Sequence, residues 1–200
     1  MLGPLTNTIH GVFDFTWPMV LISVVILVSF RVCYLIKNRQ PLILYKELLM
    51  LSFIIYILCL FQIVTFQDDV SWSSNNFIPF QEILRYNIGS RLFIKNVVGN
   101  MLLFLPFGFF ISYYLKSEKS YLTLVLTVIA SFSIEVVQML IGRVFDVDDI
   151  LLNILGGYFG YLFYSILKHL SQKLPSFCRS VWFLNILSIF ILVGVVLLFL

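Results

Sequence analysis

The chain has 200 residues, 60% of them hydrophobic and 12% charged, with a formal net charge of +3. Soluble proteins average roughly 25% charged residues, and a soluble core this apolar would leave too few polar residues to cover it. A soluble globular domain is therefore excluded, and a single membrane domain is the natural reading. Cys33, Cys59 and Cys178 are widely spaced with no CxxC, which argues against a disulfide framework or a thiolate metal site.

A spanning helix needs about 20 mostly apolar residues. Six stretches qualify, and they predict an all-α membrane protein of about six transmembrane helices. The first covers residues 17–36. It has no basic segment before it and no small-residue cleavage site after it, so it does not read as a cleaved signal peptide. The second covers 48–66, and the basic Lys37, Arg39 and Lys46 lie between the two.

Segment 67–96 has no apolar run long enough to span. Phe80, Ile83 and Leu84 sit at helical spacing among polar neighbours, and Trp72 suits a membrane interface. This is read as an amphipathic extracytoplasmic piece lying in or dipping into the interface. A solvated loop with scattered hydrophobes is the alternative.

The remaining stretches cover 97–115, 121–141, 150–167 and 181–200. The fifth is the shortest and carries Asn153. The loops after the first, third and fifth helices hold most of the lysine and arginine. The loop after the fourth has Arg143 beside Asp146, Asp148 and Asp149. By the positive-inside rule the odd loops are cytoplasmic and both termini extracytoplasmic. The expected organisation is an N-terminal helix and cytoplasmic loop over 1–47, a membrane domain over 48–168, and a cytoplasmic loop with a last helix over 169–200.

Polar residues inside a membrane are costly and are functional hypotheses by default. On this topology they gather at the outer ends of three consecutive helices. Asn96 and Asn100 are four apart on the third helix and share a face. Ser131, Glu135, Gln138 and Gly142 form one stripe on the fourth. Asp149 suits the N-cap or first turn of the fifth, with Asn153 one turn on. The expected binding pocket therefore comprises Asn96, Asn100, Glu135, Gln138, Arg143, Asp146, Asp149 and Asn153, opening outward. Gly156 and Gly160 give a small-xxx-small packing pattern. The competing reading is that these amides, hydroxyls and glycines only hold helices together, with Glu135–Arg143 a structural ion pair and Asp148 merely solvated.

These residues resemble the VanZ-like family. The matching pieces are Asn76-Phe-Ile-Pro79-Phe80, Asn96-Val-Val-Gly-Asn100-Met-Leu-Leu-Phe104-Leu-Pro106-Phe-Gly108, Ser133-Ile-Glu135-Val-Val-Gln138, and the run from Arg143 through Asp146, Asp148, Asp149 and Asn153 to Gly157. Together they cover roughly residues 48–168. The resemblance implies a multi-pass protein of the bacterial cell membrane and a link to susceptibility to teicoplanin and other glycopeptides or lipoglycopeptides. It does not supply a mechanism.

Three functions remain open. In the first, the pocket binds an envelope ligand: a membrane lipid head group, a lipid-linked cell-wall precursor or the glycopeptide's target. Arg143 would take a carboxylate or phosphate, and the amides would orient it. In the second, the chain is an enzyme with Glu135 as candidate acid or base, and Asp146 and Asp149 as a weak oxygen site for a divalent cation. No cofactor is otherwise expected. His10 belongs to no motif, and no serine or cysteine is paired with a base. The third is transport, disfavoured because the polar cluster sits at one end, not at the midplane. Nucleic acid is not expected as a partner.

Overall fold

The computed structural model describes residues 3–66, 75–116, 119–173 and 175–198. In chain order the helices are α1 (Gly3–Lys37), α2 (Leu44–Phe66), α3 (Gln81–Arg85), α4 (Arg91–Phe93), α5 (Gly99–Leu115), α6 (Ser120–Leu140), α7 (Val147–Lys173) and α8 (Val181–Leu198). A π-helical segment, Ile94–Val98, joins α4 to α5, and a 3₁₀ turn, Ser176–Arg179, precedes α8. No strand forms among the described residues; the one β-type pairing is an isolated parallel bridge between Asn76 and Asp146.

Among the described residues, five helices are long and apolar enough to cross a membrane: Pro18–Lys37, Leu44–Gln62, Arg91–Leu115, Ser120–Leu140 and Val147–Ser171. The chain is an all-α, multi-pass membrane protein. The sixth predicted stretch is also helical and apolar but shorter. Trp72, expected at the interface, lies outside the described residues.

Helix boundaries depart from the hydropathy reading where polar residues continue a helix. α1 begins at Gly3 instead of residue 17 and carries Pro18 inside it. The third span begins at Arg91 because Lys95 and Asn96 do not break a helix, and the Ser90 hydroxyl caps it by accepting from the Phe93 N–H at 3.1 Å. The fifth stretch, expected to be the shortest, is a helix of 27 residues. Its apolar run ends early, but Asp148, Lys168 and His169 propagate the helix past the hydrocarbon.

The chain divides into two compact units, residues 1–66 with 174–200, and residues 67–173. In the first, α2 packs against α1 and α8. Arg31 forms a two-pronged ion pair with Glu47, both bonds at 2.9 Å, across the α1–α2 turn. Tyr56 and Leu60 supply its buried apolar contacts.

In the second unit α7 packs along both α5 and α6, and the α5–α7 seam is the more extensive. Lipid is as apolar as leucine, so helices in a bilayer gain little from apolar burial and associate through close backbone approach and polar bonds. Glycines make that approach possible here. A Cβ on Gly156 would run into the Met101 carbonyl, and one on Gly160 into the Leu105 carbonyl. A Cβ on Gly108 would strike the backbone of Gly157. Around this seam Phe104, Phe110 and Leu152 are buried, and Phe109 packs on Phe163 with ring centroids 5.7 Å apart.

Candidate functional site

Every fully buried residue of α6 is polar: Thr123, Thr127, Ser131, Glu135 and Gln138. The spacing is near four residues, so they form one stripe along the helix. Leu122, Val125, Ile129, Phe132 and Leu140 occupy the exposed faces. This is the inverse of a soluble amphipathic helix, and it follows from the solvent. Lipid takes the apolar side, and the polar side must find partners within the protein.

The partners come from α5 and α7. The Thr123 and Ser112 hydroxyls are 2.9 Å apart, and Ser112 also donates to the Gly108 carbonyl at 2.6 Å. Thr127 sits against Gly157, where a side chain would collide with it. Asn153 donates its amide to the Ser131 hydroxyl at 2.9 Å. Glu135, 2% exposed, accepts the Asp146 backbone N–H at 2.9 Å. The sequence reading put the polar residues at one end of the helices. The buried polar positions in fact run the length of α6, to within one turn of its start.

The connection from α6 to α7 builds the densest polar cluster. Gly142 turns the chain with a positive φ of 87°, a backbone conformation that glycine adopts without strain. Asp146 caps α7: its Oδ1 accepts the Asp148 N–H at 2.8 Å, and the Asn76 amide donates to the same oxygen at 2.8 Å. The two backbones also pair, with Asn76 N–H donating to the Phe145 carbonyl at 2.9 Å and Val147 N–H to the Asn76 carbonyl at 3.1 Å. Asn75 Oδ1 accepts the Phe145 N–H at 3.0 Å. Burial pushes the Asp146 carboxyl above its ordinary range, against the Asp148 N–H and the Asn76 amide, which favour its charged form.

The sequence reading left Asp148 out of the pocket, and the competing reading made it merely solvated. It is 1% exposed. Its carboxylate accepts three backbone N–H groups, from Phe80, from Glu82 at 2.7 Å and from Ile83 at 3.1 Å. Those donors are the first turn of α3, entered through Phe80 in a left-handed conformation with φ of 68°. A charged acceptor there satisfies N–H groups that a five-residue helix leaves open. The reason Asp148 misled is that a third aspartate in an acidic loop looks redundant. Its target, the backbone from Phe80 to Ile83, lies about 70 residues away in sequence.

The remaining expected residues fall as follows. Asn100 donates to Asp149 Oδ1, which ties α5 to the first turn of α7. Asn96 donates instead to the Tyr86 hydroxyl at 2.8 Å. Asn96 lies within the π segment Ile94–Val98, whose turn is wider than that of an α-helix, and π turns are frequent at functional sites. Gln138 is buried, and its carbonyl accepts the Arg143 N–H at 2.9 Å. Arg143 is half-buried, and its charge acts on both Glu135 and Asp149. Among the described residues no three histidine, cysteine or acidic side chains are grouped to hold a metal ion. Asp146 and Asp149 are each engaged by a separate amide, Asn76 and Asn100.

Sequence reasoning overlooked Asn75, Asn76, Ser112, Thr123, Thr127 and Asp148. The two threonines were findable, since 123, 127, 131 and 135 continue one period. Asn76 and Asp148 stand in quoted motifs, but nothing in their spacing joins them.

The family model described as VanZ/LLP1 matches residues 53–168. The chain belongs to the VanZ/LLP1 family. The matched region contains α5, α6, α7 as far as Lys168, the segment from Asn75 to Ser90 and every residue of the polar cluster. No curated protein and no solved structure matches the chain significantly.

Proposed function

We propose that this VanZ/LLP1 protein sits in the bacterial cell membrane with both termini extracytoplasmic, and that its polar cluster binds an envelope ligand. The ligand class is a lipid-linked cell-wall precursor or a lipid head group, and the consequence is lowered glycopeptide or lipoglycopeptide susceptibility. One observation carries the reading: Glu135, Asp149 and Arg143 lie together at the α6–α7 connection, where membrane-spanning helices end. Ionisable side chains at the ends of membrane-spanning helices are costly to bury and mark functional sites by default. Arg143 supplies the group that pairs with phosphate or carboxylate, and the neighbouring amides orient it.

The test is teicoplanin and lipoglycopeptide susceptibility in cells expressing wild type or Glu135→Ala at matched membrane levels. Protection by wild type that the variant loses supports the reading. Equality with empty vector removes it. Orientation is tested separately. A cysteine at the exposed Gln81 reacts with an impermeant thiol reagent in whole cells, and one at the exposed Ser171 does not. Asp148 is unsuitable for this probe because it is buried and bonded.

A second reading is a membrane-embedded enzyme acting on the same lipid, favoured by the burial of Glu135 beside Arg143. It requires that Glu135→Gln abolish lipid turnover while lipid binding persists. Loss of both together supports binding alone.

A further inference from the structure

The segment between Asn76 and Arg91 is held at three places. Asn76 is paired with Asp146, the cap of α7. Asp148, in the first turn of α7, grips the backbone of Phe80, Glu82 and Ile83. At its far end Arg91 opens the spanning stretch Arg91–Leu115. All three anchors are ends of membrane-spanning helices. The segment is therefore held beside the ends of those helices, and the Tyr86 hydroxyl, accepting from Asn96 of the spanning stretch at 2.8 Å, holds its middle there too.

Most of its large exposed side chains are apolar, although Gln81, Arg85, Asn87 and Arg91 are exposed beside them. Ile88 is 90% exposed and Leu84 81%, and Phe77, Ile78 and Phe80 are each more than half exposed. The apolar surface continues onto Leu92 of the spanning stretch itself, as a lipid-facing residue requires. Arg85 and Arg91 are exposed on the same segment, Arg85 with Glu82 at 3.2 Å. Soluble surfaces do not leave such a run of large hydrophobes open to water. Apolar side chains interleaved with arginines are the composition of segments that lie in a membrane interface.

We infer that residues 77–92 form an interfacial strap whose exposed apolar side chains enter the headgroup–acyl boundary of the adjoining leaflet, with Arg85 and Arg91 at the phosphate level. The occupant of this surface is phospholipid. The inference concerns this surface alone and stands whether or not the polar cluster binds a ligand.

The experiment uses the full chain in vesicles of phosphatidylethanolamine and phosphatidylglycerol. Nitroxide labels are placed at Leu84→Cys and Ile88→Cys after Cys33, Cys59 and Cys178 are changed to serine. Collision with dissolved oxygen, which concentrates in lipid, is compared with collision with a water-soluble nickel chelate. The strap predicts a severalfold excess of oxygen over nickel collisions at both positions. An excess of nickel collisions overturns it in favour of a solvated loop. Low collision with both reagents overturns it in favour of a protein occupant. Where the cysteine-free chain does not fold, a photoreactive benzophenone amino acid at Leu84 in the otherwise native chain replaces the labels. Phospholipid adducts in intact membranes are then expected, and adducts to protein alone, or none to lipid, overturn the proposal.

Discussion

The two compact units solve the same problem with different means. The unit formed by residues 1–66 and 174–200 is built from long apolar helices, with an ion pair at the α1–α2 turn. Even so, its buried positions include Ser52, Gln62 and Ser188. The unit of residues 67–173 joins its helices through glycine contacts and cross-helix polar bonds, and its acidic loop reaches back to hold a distant segment. In water the more apolar unit would be the more stable. In a bilayer, apolar burial is nearly neutral, so the unit with small residues and polar bonds is the one with specified geometry. The family match covers that specified unit up to Lys168 and only residues 53–66 of the other, stopping before α8.

The comparison is broken most severely at the glycine seam. Gly108→Leu forces α5 off the Gly157 backbone, and overpacking of this kind costs about 3 kcal/mol or more. The thermal midpoint of the purified protein in detergent should fall sharply or the protein should not be recovered. Gly194→Leu, where a Cβ meets nothing within 4 Å, should leave the stability within about 0.5 kcal/mol of wild type. Equal losses at the two glycines would contradict the unequal roles assigned to the units.

Next in size is Asp148→Ala. It strands backbone donors that a buried carboxylate now satisfies, at about 2 kcal/mol. Hydrogen exchange should accelerate at Glu82 and Ile83 while α6 stays protected. Asp148→Asn keeps an acceptor oxygen and should lose less. Unchanged exchange at α3 would mean that the aspartate does not hold the segment.

Asn153→Ala is expected to be milder. Interhelical side-chain hydrogen bonds in membranes average about 0.6 kcal/mol, so the midpoint should fall by a degree or so. The double variant with Ser131→Ala should lose little more than the single one, because the two side chains form one bond. Additive losses would show that each has another partner.

The smallest effect belongs to the other unit. Arg31→Ala removes a partly exposed ion pair of a kind worth about 1 kcal/mol or less. The chain should remain folded, with a small loss that shrinks in high salt. A loss as large as that of Asp148→Ala would erase the contrast between the units.

Much of this was legible in the chain. Apolar runs of about 20 residues require helices in a bilayer, because no other element satisfies its own backbone there. The stripe 131, 135, 138 on α6 marked its protein-facing side, since a carboxylate cannot face hydrocarbon. The motifs from Asn96 to Gly157 carried the family. Periodicity says which side chains share a face of one helix, and it says nothing about which face of another helix they meet. Tertiary structure alone decided that Asn100 reaches Asp149 while Asn96 turns to Tyr86, and that Asp146 pairs with Asn76. It also decided that Asp148, one carboxylate among three in a loop, is the buried anchor of a segment about 70 residues away. The physical reason is that a charged side chain is placed by where backbone donors converge in space, and chain order does not encode that convergence.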